Sequence, residues 1–179
     1  MTRRSGAREA ALVRAAQRGS AEAAEELFER HWPALHQAAY LVVGDGAAAE
    51  DIAQESFLAA LRALDRFDRR RPLGPWLHRI AVNRAIDYAR ARALRREVGS
   101  DALDVSAPEP VPAHPFGGEL LDALAALDPD QRAVVVLRHL LEYTPGEIAT
   151  LLEIPRGTVN SRLRRALDAL AGRLPELAP

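Results

Sequence analysis

Residues 144–170, TPGEIATLLEIPRGTVNSRLRRALDAL, constrain the chain more than any other stretch, because they read as two helices joined by a tight turn. Thr144 can cap the first helix and Pro145 tolerates its first position, where no backbone N–H is needed. Glu147 stands where the third residue of a capping box reaches back. This helix is expected to run to about Leu152. Pro155 disfavours helix in the residue before it, so the segment breaks over Glu153 and Ile154. A second helix is expected from Arg156 or Gly157. On it Val159, Leu163, Ala166, Leu167 and Leu170 fall at i, i+4, i+7, i+8 and i+11, one apolar stripe of helical period. The other face carries Asn160, Ser161, Arg164 and Arg165, with Arg162 at its flank. Such a face suits a DNA major groove: Arg bonds guanine bidentately, Asn bonds adenine, and the remaining cations hold phosphates. A merely solvated face would look the same on one isolated helix, and the helix-turn-helix layout tips the reading toward DNA.

The chain has 179 residues, 48% of them hydrophobic, enough for one domain or two small ones with packed cores. No apolar run approaches the ~18 residues of a membrane span. The N-terminal MTRRSGAREAALVRAA lacks the sustained apolar core of a secretory signal, and a cytoplasmic location is expected. Cysteine is absent, which excludes a disulfide framework and thiolate metal sites. Net charge is only −1, but its distribution is uneven. All 24 basic residues are Arg. Residues 62–96 hold 11 Arg against 3 Asp, whereas residues 97–130 hold 8 acids and no Lys or Arg. Blocks of opposite sign mark surfaces with different partners, and the planar guanidinium fork suits phosphate.

In chain order, residues 8–18 form a short helical segment ended by Gly19. Ser20 caps a second helix, which Pro33 is expected to kink or restart. Gly44-Asp45-Gly46 is a turn. The next helix, about Ala47 to Leu64, can bury Ile52, Phe57, Leu58, Leu61 and Leu64. Asp51, Gln54 and Glu55 share another of its faces, which read alone is a solvated acidic face. Residues 66–75, RFDRRRPLGP, make a basic loop. A helix from about Trp76 to Arg96 follows, apolar at Trp76, Leu77, Ile80, Ala81, Ile86 and Ala89, polar at Arg79, Asn83, Arg84, Asp87, Arg90 and Arg92. Loop and helix together suit a nucleic-acid groove held through phosphates; Trp76 is more often core than a stacking platform. Residues 97–117, rich in Pro and acids, are expected to be an extended, flexible linker. Beyond it a helix is expected over Glu119 to Leu127. Another is opened by Asp128-Pro129-Asp130-Gln131 as cap, proline and box partner, and it runs through VVVL to Glu142. Gly172 and Pro175 close the domain. There is no Gly-rich phosphate loop and no nucleophile motif, and His31 and His36 do not share a helix face, so neither catalysis nor a metal or other cofactor is expected.

The segments AEDIAQESFLAAL (49–61), PWLHRIAVNRAIDYARAR (75–92), LDPDQRAVVVLR (127–138) and EIATLLEIPRGTVNSRLRRAL (147–167), in this order around one acidic linker, resemble the extracytoplasmic-function sigma factors, the smallest members of the sigma-70 family. The resemblance covers about residues 8–175. It implies an all-α fold of two small helical domains, over 8–96 and 118–175, joined by the linker at 97–117. It implies a promoter-specificity subunit of RNA polymerase and not an enzyme. Asp51, Gln54 and Glu55 match the positions that dock on the β′ clamp helices, and the β flap is a further part of the core polymerase expected as partner. The basic loop, with Arg69, Arg70 and Arg71, matches the one that captures a flipped base of the −10 element. Trp76, Arg79, Asn83, Asp87 and Arg90 match the −10 helix. Asn160, Ser161, Arg164 and Arg165 match the −35 reading positions, with Thr158 and Arg162 nearer the backbone, and Arg156 is a further −35 contact. An anti-sigma protein is the implied regulatory partner. Asn160 stands where the family often has a basic residue, and the loop lacks a second aromatic near Leu73. The rivals are a stand-alone helix-turn-helix regulator and a protein-binding module whose Arg faces meet an acidic partner.

Overall fold

The computed structural model describes residues 3–97 and 117–173. Among them every regular element is helical: α1 (Arg3–Ala16), α2 (Ala21–Val43), α3 (Gly46–Ala63), a 3₁₀ turn (Leu64–Arg66), α4 (Leu73–Glu97), α5 (Gly117–Ala125), α6 (Pro129–Val135) continuing into a π turn (Val136–Leu140), α7 (Pro145–Leu152) and α8 (Arg156–Ala171). Residues 98–116 of the expected linker, and Pro175, lie outside the described residues.

The first four helices form one bundle. Ser20 Oγ accepts the Ala23 N–H at 3.2 Å and starts α2. Gly44, at φ 70°, ends it, a left-handed position that glycine adopts without a Cβ clash. Asp45 Oδ1 then accepts the Ala48 N–H at 3.0 Å and starts α3. Of the kink or restart expected at Pro33, the restart does not occur; α2 is one helix from Ala21 to Val43 with Pro33 inside it. Its apolar side, with Leu27, Leu35, Ala38 and Ala39 all buried on both sides of the proline, outweighs one missing backbone hydrogen bond. The core packs Val13, Leu27, Leu35, Phe57, Leu64, Leu73 and Leu77 together. Leu58, expected inside, is 45% exposed, because it falls on the outer stripe of α3 with Asp51 and Glu55.

α4 begins three residues before the expected Trp76, at Leu73. The reason lies in α1. Buried Glu9 accepts the Leu73 N–H through Oε1 at 3.3 Å, satisfying one of the orphan donors of a helix start. Its other oxygen lies 3.2 Å from His31 Nε2.

In the second half, Asp128 Oδ1 accepts the Asp130 N–H at 2.9 Å, so the cap of α6 closes on Asp130 and not through the expected partner Gln131. The VVVL run is helical, as its proline start implied, but helix ends at Leu140 and not Glu142. Glu142 sits at φ 58°, a left-handed conformation that ends the helix. α5 spans Gly117–Ala125, shifted two residues toward the N-terminus of the expected 119–127.

The two halves share one apolar cluster. Tyr40, Val42, Ile52, Val82 and Ile86 of the first half are continuous with Leu124, Val134, Leu137, Ile148, Val159 and Leu163 of the second. Buried Arg132 fastens the joint: Nη1 donates to the Val42 carbonyl at the end of α2 (2.6 Å), and Nη2 donates to the Ala125 and Leu127 carbonyls (2.7 and 3.1 Å).

Candidate nucleic-acid interface

α7 and α8 hold the helix-turn-helix as their residues dictate. The capping box is complete: Glu147 N–H donates to Thr144 Oγ1 at 3.3 Å and Thr144 N–H donates to Glu147 Oε2 at 2.8 Å. The turn is made by Glu153 at φ 56°, with its N–H returned to the Ala149 carbonyl. Val159, Leu163 and Ala166 fix α8 from beneath, whereas Leu167, expected in the stripe, is 44% exposed at its rim. At eight residues from Val159 it has drifted off the face, because the 3.6-residue turn does not divide eight evenly. Asn160, Arg164, Arg165 and Arg156 are exposed on the outer side. Ser161, half-buried, donates Oγ–H to the Thr158 carbonyl at 2.9 Å, and Arg165 Nε donates to the Ser161 carbonyl at 3.3 Å. Arg162 is turned inward, 3.2 Å from Asp130.

α4 presents Arg79, Asn83, Asp87 and Arg90 toward the second half of the molecule. Arg79 Nη1 donates to Glu153 Oε1 at 2.8 Å. Arg90 Nη2 donates to both Asp130 oxygens at 2.7 and 2.8 Å, which raises its pKa further, and Asp87 lies 3.7 Å from Arg90. A cleft of about 270 Å³ remains between, lined by Asn83, Ile86, Asp87, Arg90, Asp130 and Arg162 among others. Further along α4, His78 Nδ1 lies 2.7 Å from Tyr143 Oη. Burial, with His31 adding to it, lowers the His78 pKa to about 4. Burial, then the Glu147 charge, raises the Tyr143 hydroxyl to about 12. Both are neutral near pH 7.

The basic loop is pinned at its entry by Gln17, whose Nε2 donates to the Leu64 and Phe67 carbonyls at 2.8 and 3.2 Å. Arg69, Arg70 and Arg71 are all exposed, and Arg70 folds back on Asp68 with Nε–Oδ1 at 3.0 Å and Nη2–Oδ2 at 2.9 Å. Those hydrogen bonds hold the Asp68 carboxyl down at about 2. Trp76 is half-buried and packs on Phe67, ring centres 4.8 Å apart. A wider cleft of about 680 Å³ separates this loop from α7. On α3, Asp51, Gln54 and Glu55 are exposed together, and Glu55 Oε2 accepts from Arg84 Nη1 of α4 at 2.9 Å.

The residues that sequence reading passed over are those that join elements. Glu9 carried no signal of its own in the short first helix, Asp130 read as part of a helix start and Glu153 as part of a break. Arg132 had a weak signal only: a single Arg between the cap and an apolar run. Among the described residues no group of three or more His, Cys, Asp or Glu could hold a metal ion, and no helix is long and apolar enough to cross a membrane.

Comparison with known proteins agrees with the two-part division. Residues 27–95 match the family model for Sigma-70 region 2, and residues 117–170 match that for Sigma-70, region 4. The chain is 37% identical to the ECF RNA polymerase sigma factor SigL of Mycobacterium tuberculosis over 99% of this chain and 98% of that protein. It is 31% identical to the ECF RNA polymerase sigma factor SigW of Bacillus subtilis, over 92% and 96% of the two chains. Among solved structures it is similar to CnrH in complex with the cytosolic domain of CnrY (TM-score 0.68, 30% identity, 95% of this chain and 99% of that one). It is also similar to the sigma factor RpoE in complex with the anti-sigma factor NepR from Bartonella quintana (TM-score 0.70, 25% identity, 86% and 98%).

Proposed function

We propose, from the premise that this chain belongs to the extracytoplasmic-function sigma factors of the sigma-70 family, how its helices divide the work of that family. As a sigma factor it directs core RNA polymerase to promoters and starts transcription there. α3 docks on the polymerase through Asp51, Gln54 and Glu55, with the β′ clamp helices as partner, and the second domain lies at the β flap. The loop arginines Arg69, Arg70 and Arg71, with Trp76, Arg79, Asn83, Asp87 and Arg90, engage the −10 element. Asn160, Ser161, Arg164 and Arg165 read the −35 element, while Arg156, Thr158 and Arg162 hold its backbone.

The observation that carries this reading is the order of the two family segments, residues 27–95 and 117–170, each on its own helical half. The exposed row Asn160, Arg164 and Arg165 on a helix held by three buried apolar residues supports the −35 part, since a reading helix must be fixed from behind and open in front. The protein acts in the cytoplasm, where polymerase works, and catalyses nothing itself. It has an anti-sigma partner, a reading that draws on the RpoE relative held by NepR.

The test is transcription in vitro with purified core polymerase and a genomic fragment library, with and without this protein, reading 5′ ends. New start sites that share a two-part upstream motif are expected. A polymerase-independent shift of duplex DNA with no new start sites would replace this reading with the stand-alone regulator.

A further inference from the structure

We propose that the cleft between the basic loop and α7 is a binding site for a small planar aromatic anion, its ring laid on Trp76 and its acid groups held by Arg66 and Arg71. This goes beyond the reading of the loop as a −10 contact, because half of the wall belongs to α7 and the occupant is a free small molecule.

Four observations carry it. The first is space: the cleft holds about 680 Å³, within the ~300–1,000 Å³ typical of sites for small organic ligands. The second is a flat apolar wall. Phe67 and Trp76 are both half-buried and pack with ring centres 4.8 Å apart. Tyr143 and Leu151 line the opposite side. A ring entering between these walls meets an aromatic face and is shielded from water. The third is unpaired positive charge. Asp68 is taken by Arg70, Glu147 accepts the Thr144 N–H and O–H at 2.8 and 2.7 Å, and Arg79 is taken by Glu153. Arg66 and Arg71 are left on the cleft. Neither donates a side-chain hydrogen bond or closes an ion pair among the described residues, and Asp68 reaches Arg71 only as a more distant charge. Two free guanidinium forks beside an apolar wall fit a carboxylate or phosphate carried on a ring. A neutral ligand would leave the forks unused, and a bare anion would leave the wall wet. The fourth is that both walls are already set. Gln17 holds the loop through the Leu64 and Phe67 carbonyls, and the capping box of Thr144 and Glu147 fixes the first turn of α7. A preformed site loses little binding energy to ordering its walls.

Trp76 is itself the reporter once the chain's other tryptophan is removed by Trp32→Phe. In that full chain, Trp76 fluorescence is titrated with adenosine triphosphate and with phthalate, at about 0.15 M salt, where exposed charges beyond ~8 Å are screened. Saturable quenching by at least one of them is expected: by the triphosphate alone if the natural ligand is a nucleotide, by phthalate alone if it is an aromatic acid. Arg66→Ala with Arg71→Ala is expected to weaken that binding about tenfold, the scale of a lost charged hydrogen bond. Thr150 is exposed on the α7 wall, so its replacements are expected to fold. Thr150→Glu should weaken binding and Thr150→Arg should tighten it, an opposition that a merely structural effect would not give. No saturable quenching by either anion overturns the site. Displacement at equal concentration by pyrophosphate, which has no ring, or by adenosine, which has no charge, overturns the ligand class. Binding that is indifferent to both changes at Thr150 overturns the placement against α7 and leaves the loop acting alone.

Discussion

α8 and α4 are both arginine-bearing helices fixed by apolar residues on one side, yet apart from Arg162, which turns inward to Asp130, α8 presents its arginines in the opposite way. On α8, Asn160, Arg164 and Arg165 look outward. On α4, Arg79 and Arg90 are held by acids of the other domain. A helix's own pattern tells which residues leave the core, and only its neighbours tell whether water, an acid or a ligand receives them.

The largest way to break the contrast is at Arg132. Arg132→Met leaves the Val42, Ala125 and Leu127 carbonyls without their donor. Unsatisfied buried acceptors each cost ~1–3 kcal/mol, so a loss of about 4 kcal/mol in urea unfolding is expected. α4 amides should also gain hydrogen exchange while those of α8 near Asn160 change little. Protection of α4 that persists would place the joint elsewhere.

Acid should act on the same seam. His78 titrates near 6.5 when exposed and near about 4 where it meets Tyr143, with His31 of α2 facing it and Glu9 behind His31. A base with a lowered pKa stabilises the packed form fully above about pH 6.5, and that contribution is lost as pH falls toward 4. At 1.36 kcal/mol per unit the loss amounts to at most ~3 kcal/mol. His78→Gln should flatten this pH slope of stability; an unchanged slope would assign it to other groups.

Arg165→Ala tests the open helix. Loss of one good base contact weakens use of the −35 element by ~1–3 kcal/mol. Promoters mutated at −35 should no longer distinguish the variant from the parent in transcription, and a variant that still responds to such promoters as the parent does would remove Arg165 from the reading set.

The smallest effect sharpens the scaffold of α8. Thr144→Ala removes one half of the capping box and should cost about 1 kcal/mol of stability. It should leave the α4 ion pairs in place, so protection of the α4 amides in hydrogen exchange persists while thermal unfolding begins earlier.

Much of this was legible in the residues because the signals are local. Ser20, Asp128 and Thr144 cap helices through their own next few amides, and Val159, Leu163 and Ala166 recur at the helical period, so these caps and the stripe follow from spacing, whereas Asp45 read only as part of a turn. The helical period put Asn160, Ser161, Arg164 and Arg165 on the polar face of one helix and Arg79, Asn83, Asp87 and Arg90 among the polar positions of another, family spacing matched them to −35 and −10 roles, and their pairing was not part of either pattern. Pro33 lies inside α2 as its position implied, and only the restart is absent, because a helix break is a local penalty that a buried apolar face on both sides can overcome. Leu58 and Leu167 misled because hydrophobicity alone does not say which side of a stripe's edge a residue occupies.

The sequence by itself determined an all-helical chain in two parts, a capped helix-turn-helix and an arginine-rich helix, since each depends on hydrogen bonds and periods spanning a few residues. The tertiary structure alone decided that Glu9 starts α4, that Arg132 ties α6 to α2, and that Asp130 and Glu153 occupy the arginines of α4. Those partners lie 40 to 90 residues apart. Which acid meets which arginine at that separation is fixed by how the helices pack, and no spacing along the chain encodes it.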